Sequence, residues 1–421
     1  MNTNATARNL RRRWRKSVRS IGKEQRTTPG MGSGQLKVRL KRLLYAPITG
    51  VAGTPPTRFK KLCIYKRDGI GDFILAISAI RLLVREVGAQ NTVLVTWPQA
   101  ADFAAAEFPD VERVVLEMTD PTRMVQRARV LRNQRARLAQ YAFDRLISLR
   151  HLRGDDDELA LGWIRTQESL GVVCEGAFER SPDTRIHCFR FSRPIVRSVA
   201  PVPDTSDGVC EDFRNHQALV SSALGRSVGV EEILPVVTSL SPASENYAVV
   251  AALPGVFPFA GAPSNSIRNI PFNLLEAGIR EMRRHSIDGV YLCGSRFQRA
   301  ALEELARELS AVDLKVKVST PASFHEFAVL LSKARCVLSS ETGAAHLAVA
   351  LDKPSVMLIG GGHYGHYAPW TKSPRQIWLT NRVPCFGCNW SCIYPKPICI
   401  TDIDPSAVTQ AIDRVLGVPV Q

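Results

Sequence analysis

The chain has 421 residues, 55 Lys and Arg against 39 Asp and Glu, a net charge of +16 and 45% hydrophobic residues. Such a length and apolar content exclude wholesale disorder and suit two domains, each able to bury its own core. No apolar run approaches the ~20 residues needed to cross a bilayer, and the Arg-rich start lacks a following apolar segment, so neither membrane spanning nor secretion is expected.

The basic excess is concentrated at the start. Residues 1–44 hold 13 Lys and Arg against one acid, Glu24, and so carry +12 of the total. Trp14, Val18, Ile21, Leu40 and Leu43 add apolar points, and the segment reads as a solvated arm, an organellar transit peptide, a nucleic-acid arm or a polybasic contact for an anionic membrane face. Pro47 to Thr57 reads as a linker.

The folded body opens with a predicted strand Leu62–Tyr65, a glycine-bearing turn Arg67–Asp72 and a helix Ile74–Val87 with apolar positions at Ile77, Ile80 and Val84. The strand and helix pattern recurs as Val93–Thr96, Asp102–Glu107, Val111–Leu116, an Arg-rich helix from Pro121 to Tyr141, and Leu146–Leu149. Between Ser181 and Asp212 the composition turns to Pro, Ser, Arg and Asp without a period, which predicts loops leading to a helix near Phe213–Leu224. A second series follows: strands Tyr247–Leu253 and Phe257–Ala260, helix Pro271–His285, strand Val290–Cys293, helix Gln298–Leu309 and strand Lys315–Val318. Helix Phe324–Lys333, strand Cys336–Ser339, helix Ala344–Ala350, strand Ser355–Ile359 and helix Pro405–Leu416 complete it. Alternation of this kind predicts two α/β halves with parallel sheets and a cleft beyond the carboxyl ends of the strands. The expected division is 1–58 for the extension, 59–240 for the first domain and 241–421 for the second.

Three loops carry candidate chemistry. In Arg67-Asp68-Gly69-Ile70-Gly71-Asp72 the glycines let backbone approach a ligand, and Asp72 either caps the next helix or serves as a base. In Ser339 to His346, Thr342 and the amides of Gly343 and Ala344 stand at a helix N-terminus, where free N–H groups and the dipole favour phosphate. His346 follows one turn on, as a structural histidine or as part of that cradle. The third loop, Gly261 to Pro271, holds small and polar residues, Ala262 and Ser264 among them, and one cation, Arg268.

Arg67-x-x-x-Gly71-Asp72, Gly261-Ala262 before a basic residue and Pro271, and Glu341-Thr342-Gly343-x-x-His346 before Pro354 and Pro369-Trp370 resemble glycosyltransferase family 9, the ADP-heptose:lipopolysaccharide heptosyltransferases. The resemblance extends from about Lys61 to Leu416. It implies an α/β GT-B architecture: two Rossmann-like domains facing a central cleft, here with the basic N-terminal extension added, and inverting transfer without a catalytic metal or other cofactor. By that carry-over Asp72 takes the acceptor proton and Arg268, standing where the family often has Lys, neutralises the leaving diphosphate. His346 supports the phosphate site, and Gly71, Ala262, Ser264, Glu341, Thr342, Gly343 and Ala344 line the donor site. Glu341 replaces the family's usual Asp. The stretch Gly360 to Trp370 replaces a simpler one, and its His363 is added to the donor set, with His366 behind it. No ribose-binding carboxylate follows strand Val290–Cys293, so adenine rests on the resemblance.

Cys385-x2-Cys388-x3-Cys392-x6-Cys399 stands apart from six scattered cysteines and reads as a candidate structural Zn or Fe site or as packed free thiols. It looks like the cysteine finger of the family branch that heptosylates autotransporter proteins. Arg150, His151 and Arg153, after a predicted strand, are placed to meet an anionic acceptor. The expected activity is transfer of heptose from ADP-heptose to a lipopolysaccharide or related glycolipid acceptor. Its expected place is the cytoplasmic face of the bacterial inner membrane, held there peripherally through the basic N-terminus, with no nucleic acid as partner. Rival readings are another nucleotide-sugar donor, a polypeptide acceptor, and a non-catalytic polyanion-binding module.

Overall fold

The computed structural model describes residues 55–417 apart from 118, 120–122, 152, 175–188, 198–208, 242–243, 255–266, 389 and 391. The basic extension, most of the linker, the Phe257–Ala260 strand, Ala262 and Ser264 lie outside the described residues.

The first half runs β1 (Arg58–Lys66), α1 (Ile70–Val87), β2 (Thr92–Thr96), α2 (Pro98–Glu107), β3 (Glu112–Val115), α3 (Met124–Leu138), β4 (Tyr141–Ser148), α4 (Asp155–Trp163), β5 (Arg165–Cys174) and β6 (Arg193–Arg197). α5 (Glu211–Leu224) and the short α6 (Val230–Ile233) follow. The second half runs β7 (Glu245–Ala251), α7 (Phe272–Arg284), β8 (Gly289–Cys293), α8 (Arg299–Ala311), β9 (Lys317–Ser319), α9 (Phe324–Lys333) and β10 (Ala334–Ser340). It ends with α10 (Gly343–Ala350), β11 (Ser355–Leu358), β12 (Gln376–Leu379), α11 (Ile398–Thr401) and α12 (Pro405–Gly417).

Both sheets have six strands and the same order: β3-β2-β1-β4-β5-β6 in the first, β9-β8-β7-β10-β11-β12 in the second. Every named pairing is parallel, as in Cys63 opposite both Val93 and Leu146. In each sheet the order reverses beside the first strand, at β1/β4 and at β7/β10, and open α/β sheets hold ligands at that switch point. The central strands are buried on both faces, β2 along its whole length, which is why they read as unbroken apolar runs.

Helix burial follows from apolar spacing. α1 buries Phe73, Ile74, Ile77 and Ile80, each such side chain contributing roughly 1.5–3 kcal/mol relative to exposure. α7 turns Leu274, Leu275, Ile279 and Met282 inward and packs on α12 through Val408, Ala411 and Ile412. Gly278 permits that approach and the packing on β10, since a Cβ there would lie 3.3 Å from Val408 and 2.8 Å from Leu338. The chain leaves the first half along a segment pinned by buried Glu107, which accepts from the amides of Thr238 (3.1 Å) and Ser239 (2.8 Å) and pairs with Arg81 at 2.7 Å.

α4, β5, β6 and β12 are additions to the expected elements. α4 begins with three aspartates, β5 alternates polar and apolar residues, and β12 has only four residues, so none gives the buried, continuous signal of the central strands. β1 starts at Arg58 rather than Leu62, because Arg58, Phe59 and Lys60 pair with Tyr141, Ala142 and Phe143 at the start of β4.

Candidate active site

Both predicted motifs fall at the switch points. Arg67–Asp72 links β1 to α1, and Glu341–Thr342 links β10 to α10. The two helices meet start to start across a cleft of about 760 Å³. A Cβ on Gly71 would lie 3.1 Å from the His346 ring and 3.5 Å from Gly343 Cα, and one on Gly343 would lie 2.6 Å from Ile70. Backbone of one half therefore touches backbone of the other, and two positive helix ends face the same space, an arrangement that favours an anion between them.

The first-half side is dense in charge. Arg67 is buried and faces inward: its guanidinium donates to Asp157 (2.9 Å) and to the carbonyls of Leu116 (3.3 Å) and Glu117 (2.5 Å). Lys66, also buried, donates to the Leu149 carbonyl at 2.9 Å and pairs with Asp68 at 3.1 Å. Asp72 lies in the third position of α1 with its carboxylate folded over Gly69, whose Cβ, were there one, would sit 2.8 Å from Oδ2. Burial, then the negative charge of Asp68, outweigh the nearby Lys66 and push the Asp72 carboxyl up to about 8. A carboxyl so poised exchanges a proton near neutrality, as a general base must.

The acceptor candidates have partners within the fold. Arg150 donates to Asp157 at 2.7 Å and to the Arg67 carbonyl at 2.7 Å, and pairs with Asp68. Arg153 donates to Glu158 at 2.8 Å and the Val172 carbonyl at 3.0 Å and lies over the Phe191 ring. His151 is buried, its Nδ1 2.8 Å from Asp212 Oδ1. The loop after β4 thus holds the wall of the site together, with Arg150 one residue from the Asp72 neighbourhood through Asp68.

The second-half side is sparse. Thr342 caps α10, its Oγ1 accepting from the Ala344 amide at 3.3 Å. Glu341 is buried and gathers Arg268 (3.4 Å), His363 (3.5 Å) and His346 (3.8 Å) around its carboxylate. Burial alone would raise its pKa, but hydrogen bonds from His346 and His363 and the charges of His363 and Arg268 hold it well below the usual carboxylate range. Trp370 Nε1 donates to His346 Nδ1 at 3.0 Å. An indole can only donate, so Nδ1 accepts, and the His346 proton sits on Nε2, the nitrogen turned toward Glu341.

The cleft has walls that motif reading did not supply. Trp97, Arg296, Phe297 and Phe324 line it, and so does Asp102, whose Oδ2 accepts from the His325 amide at 2.9 Å and ties α2 to the start of α9. Their signal was positional: Trp97, Arg296 and Phe297 follow strand ends and Phe324 opens a helix, while Asp102 lies within α2. At the end of β8 the lining consists of Cys293, Gly294, Ser295, Arg296 and Phe297, with no carboxylate among these described residues.

The cysteine loop packs behind the donor side. Gly387 donates to the Gly361 carbonyl at 2.7 Å, and the Trp390 ring occupies the space that Cβ atoms on Gly360 and Gly362 would fill. Trp390 also stacks edge-on against His363 and underlies Arg268. The four cysteines are neighbours with free thiols, and burial followed by mutual repulsion pushes Cys385 up to about 11. Among the described residues their sulfurs do not converge as a ligand set, whereas His151, Asp212 and His216 do.

Two Rossmann-like sheets of equal strand order closing on one cleft define a GT-B fold. The model of glycosyltransferase family 9 (heptosyltransferase) matches residues 280–392. Lipopolysaccharide heptosyltransferase 1 of Pseudomonas aeruginosa is 29% identical over 135 residues, which is 28% of this chain and 38% of that relative's own length. Among solved structures, E. coli heptosyltransferase WaaC with ADP superposes with a TM-score of 0.58 at 18% identity, covering 84% of this chain and 99% of that one. E. coli ADP-heptose lps heptosyltransferase II gives 0.55 at 15%, covering 85% and 98%. Over residues 280–392 the chain is thus similar to glycosyltransferase family 9, and the superpositions show that it shares the fold of these heptosyltransferases.

Proposed function

We propose that the protein is an inverting glycosyltransferase that moves a heptose from ADP-heptose to a glycolipid acceptor of the lipopolysaccharide type. The observation that carries this reading is the meeting of Asp72 and the α10 N-terminus across one cleft, one from each half. The donor diphosphate lies at Thr342, Gly343 and Ala344, and Arg268 takes up its growing negative charge as the bond to the sugar breaks. Asp72 accepts the proton of the attacking hydroxyl. Glu341, held ionised, keeps Arg268 and the two histidines in place without touching the reacting atoms. The heptose and the adenine follow from what the WaaC structures were solved with, ADP and an ADP-heptose analogue.

The acceptor's anionic groups meet the first half from outside. Arg129 and Arg132 of α3 are exposed, and with the basic extension they suit an anionic membrane face, which supports a peripheral position at the inner face of the inner membrane. No helix among the described residues is long and apolar enough to cross a membrane.

The test is a transfer assay with the full chain, ADP-heptose and heptose-free lipopolysaccharide, read as ADP release and as acceptor mass. Heptose-sized mass gain by the wild type, lost in Asp72→Ala while ADP still raises the Tm, supports the reading. Stabilisation by UDP, GDP or CMP in place of ADP would discard the donor. Undiminished transfer by Asp72→Ala would discard the base.

A further inference from the structure

A second cluster of chemistry lies in the first half, outside the donor machinery. His151 stands just beyond β4, while Asp212 and His216 lie one turn apart at the start of α5, 61 and 65 positions further along the chain. All three are buried, and one ligating atom of each falls within 4.8 Å of the others. His151 Nδ1 is 2.8 Å from Asp212 Oδ1, and His216 Nδ1 is 3.7 Å from Oδ2. The two rings lie 5.0 Å apart.

We propose that His151, Asp212 and His216 form a binding site for a single divalent transition-metal cation of the zinc class. Two imidazoles and a carboxylate are the nitrogen and oxygen donors such an ion takes, with a fourth position left for water or another group. Around a tetrahedral zinc with bonds of ~2.0–2.1 Å, neighbouring donor atoms stand roughly 3.3 Å apart; His216 Nδ1 at 3.7 Å from Asp212 Oδ2 is near that spacing, and the 2.8 Å hydrogen bond from His151 Nδ1 to Asp212 Oδ1 would open to admit the ion.

The hydrogen bonding of the cluster is incomplete without such an ion. His151 Nε2, Asp212 Oδ2 and both nitrogens of His216 are buried with no hydrogen-bond partner; the Leu149 carbonyl near His216 offers only weak support. Buried polar atoms are ordinarily satisfied, and here a cation would take up the carboxylate and one nitrogen of each ring. Lys66 is the nearest competing charge. It is held by Asp68 and the Leu149 carbonyl, which leaves the Asp212 carboxylate to supply the negative charge at the site.

The site has a structural consequence that does not depend on the donor sugar. The amides of Glu211 and Asp212 donate to the carbonyls of Gly365 (2.9 Å) and His366 (3.0 Å), so the first turn of α5 already holds the second half. An ion fixing that turn to the end of β4 fastens this contact to the strand beside Asp68. The expected metal position therefore moves from the cysteine loop to the inside of the first half.

The experiment uses the full chain stripped with chelator and reloaded with Zn²⁺ or Co²⁺. Metal content, the Zn²⁺-induced rise in Tm and the visible Co²⁺ spectrum are read for the wild type, His216→Ala, His151→Gln and Cys385→Ser/Cys388→Ser. A single retained equivalent, a Co²⁺ spectrum without sulfur charge-transfer bands, and loss of both in either histidine variant but not in the cysteine variant are expected. The second histidine variant guards against a folding failure in the first. No Zn²⁺-dependent rise in Tm and no Co²⁺ spectrum in the wild type would overturn the proposal. So would a sulfur-to-cobalt band abolished by the cysteine substitutions.

Discussion

The two halves share a strand order and both use the switch point, yet they furnish it in opposite ways. The first half packs Lys66, Asp68, Asp72, Arg150 and Asp212 into one interacting group. The second offers a capped helix start and one buried carboxylate holding an arginine and two histidines. Crowded carboxylates raise one another's pKa and so make a proton acceptor; a sparse, preorganised set of donors makes an anion site. Topology fixes where a site lies, and charge density decides what it can do there.

The comparison breaks most visibly at Asp72. Asp72→Ala should lower the transfer rate by ~10²–10⁴-fold and leave the ADP-induced rise in Tm intact; loss of both would mean that the halves do not divide the labour. Next in size is Glu341→Gln, expected to cost about 2–3 kcal/mol in urea unfolding because Arg268 and the histidines lose their counter-charge. Its folded pKa is depressed, so its contribution is full above the unfolded value near 4.5 and lost as pH falls through the folded one. Acid titration of the wild type against this variant checks the sign.

Arg268→Ala should raise the donor KM about tenfold, equivalent to ~1.4 kcal/mol, with Arg268→Lys between it and the wild type in steady-state kinetics. The Asp72 carboxyl works the other way from Glu341. Its folded pKa is raised from 3.8 to about 8, so the wild type loses stability as pH climbs through that window. Asp72→Asn should therefore gain Tm over the wild type progressively from pH 4 to 8 and hold a constant margin beyond. The smallest effect is expected from Trp370→Phe, about 1 kcal/mol for the lost indole donor. A shift of the His346 ring proton seen by NMR would show its tautomer released.

Much of this was legible because central parallel strands and glycine turns write plainly. The β1 turn and the Glu341–His346 segment are each continuous in sequence, and each forms one wall of the cleft. Arg150 shows where reading stopped: placed by the sequence to meet an anionic acceptor, it pairs within the fold, as Arg67 does, with Asp157, a residue of a helix whose acidic start hid it. His216 went unnoticed for a similar reason. Only the fold brings it against Asp212 and His151, and no spacing within α5 marks a partner 65 positions earlier. The cysteines present the reverse case, four close in sequence and near one another in the fold whose sulfurs do not all fall within 4.8 Å.

The contact between Gly71 and the Gly343–His346 turn has a further meaning. With no side chain on either glycine, closure of the two halves ends where main chain meets main chain, a stop as stiff as the helices behind it. On the proposed function, the gap between proton acceptor and leaving phosphate is thereby gauged by main chain together with Ile70 and the His346 ring. A single methyl group at Gly71 or Gly343 would act as a shim, wedging the halves open and, on the proposed reaction, lengthening the path of the sugar while leaving Asp72, Arg268 and His346 present.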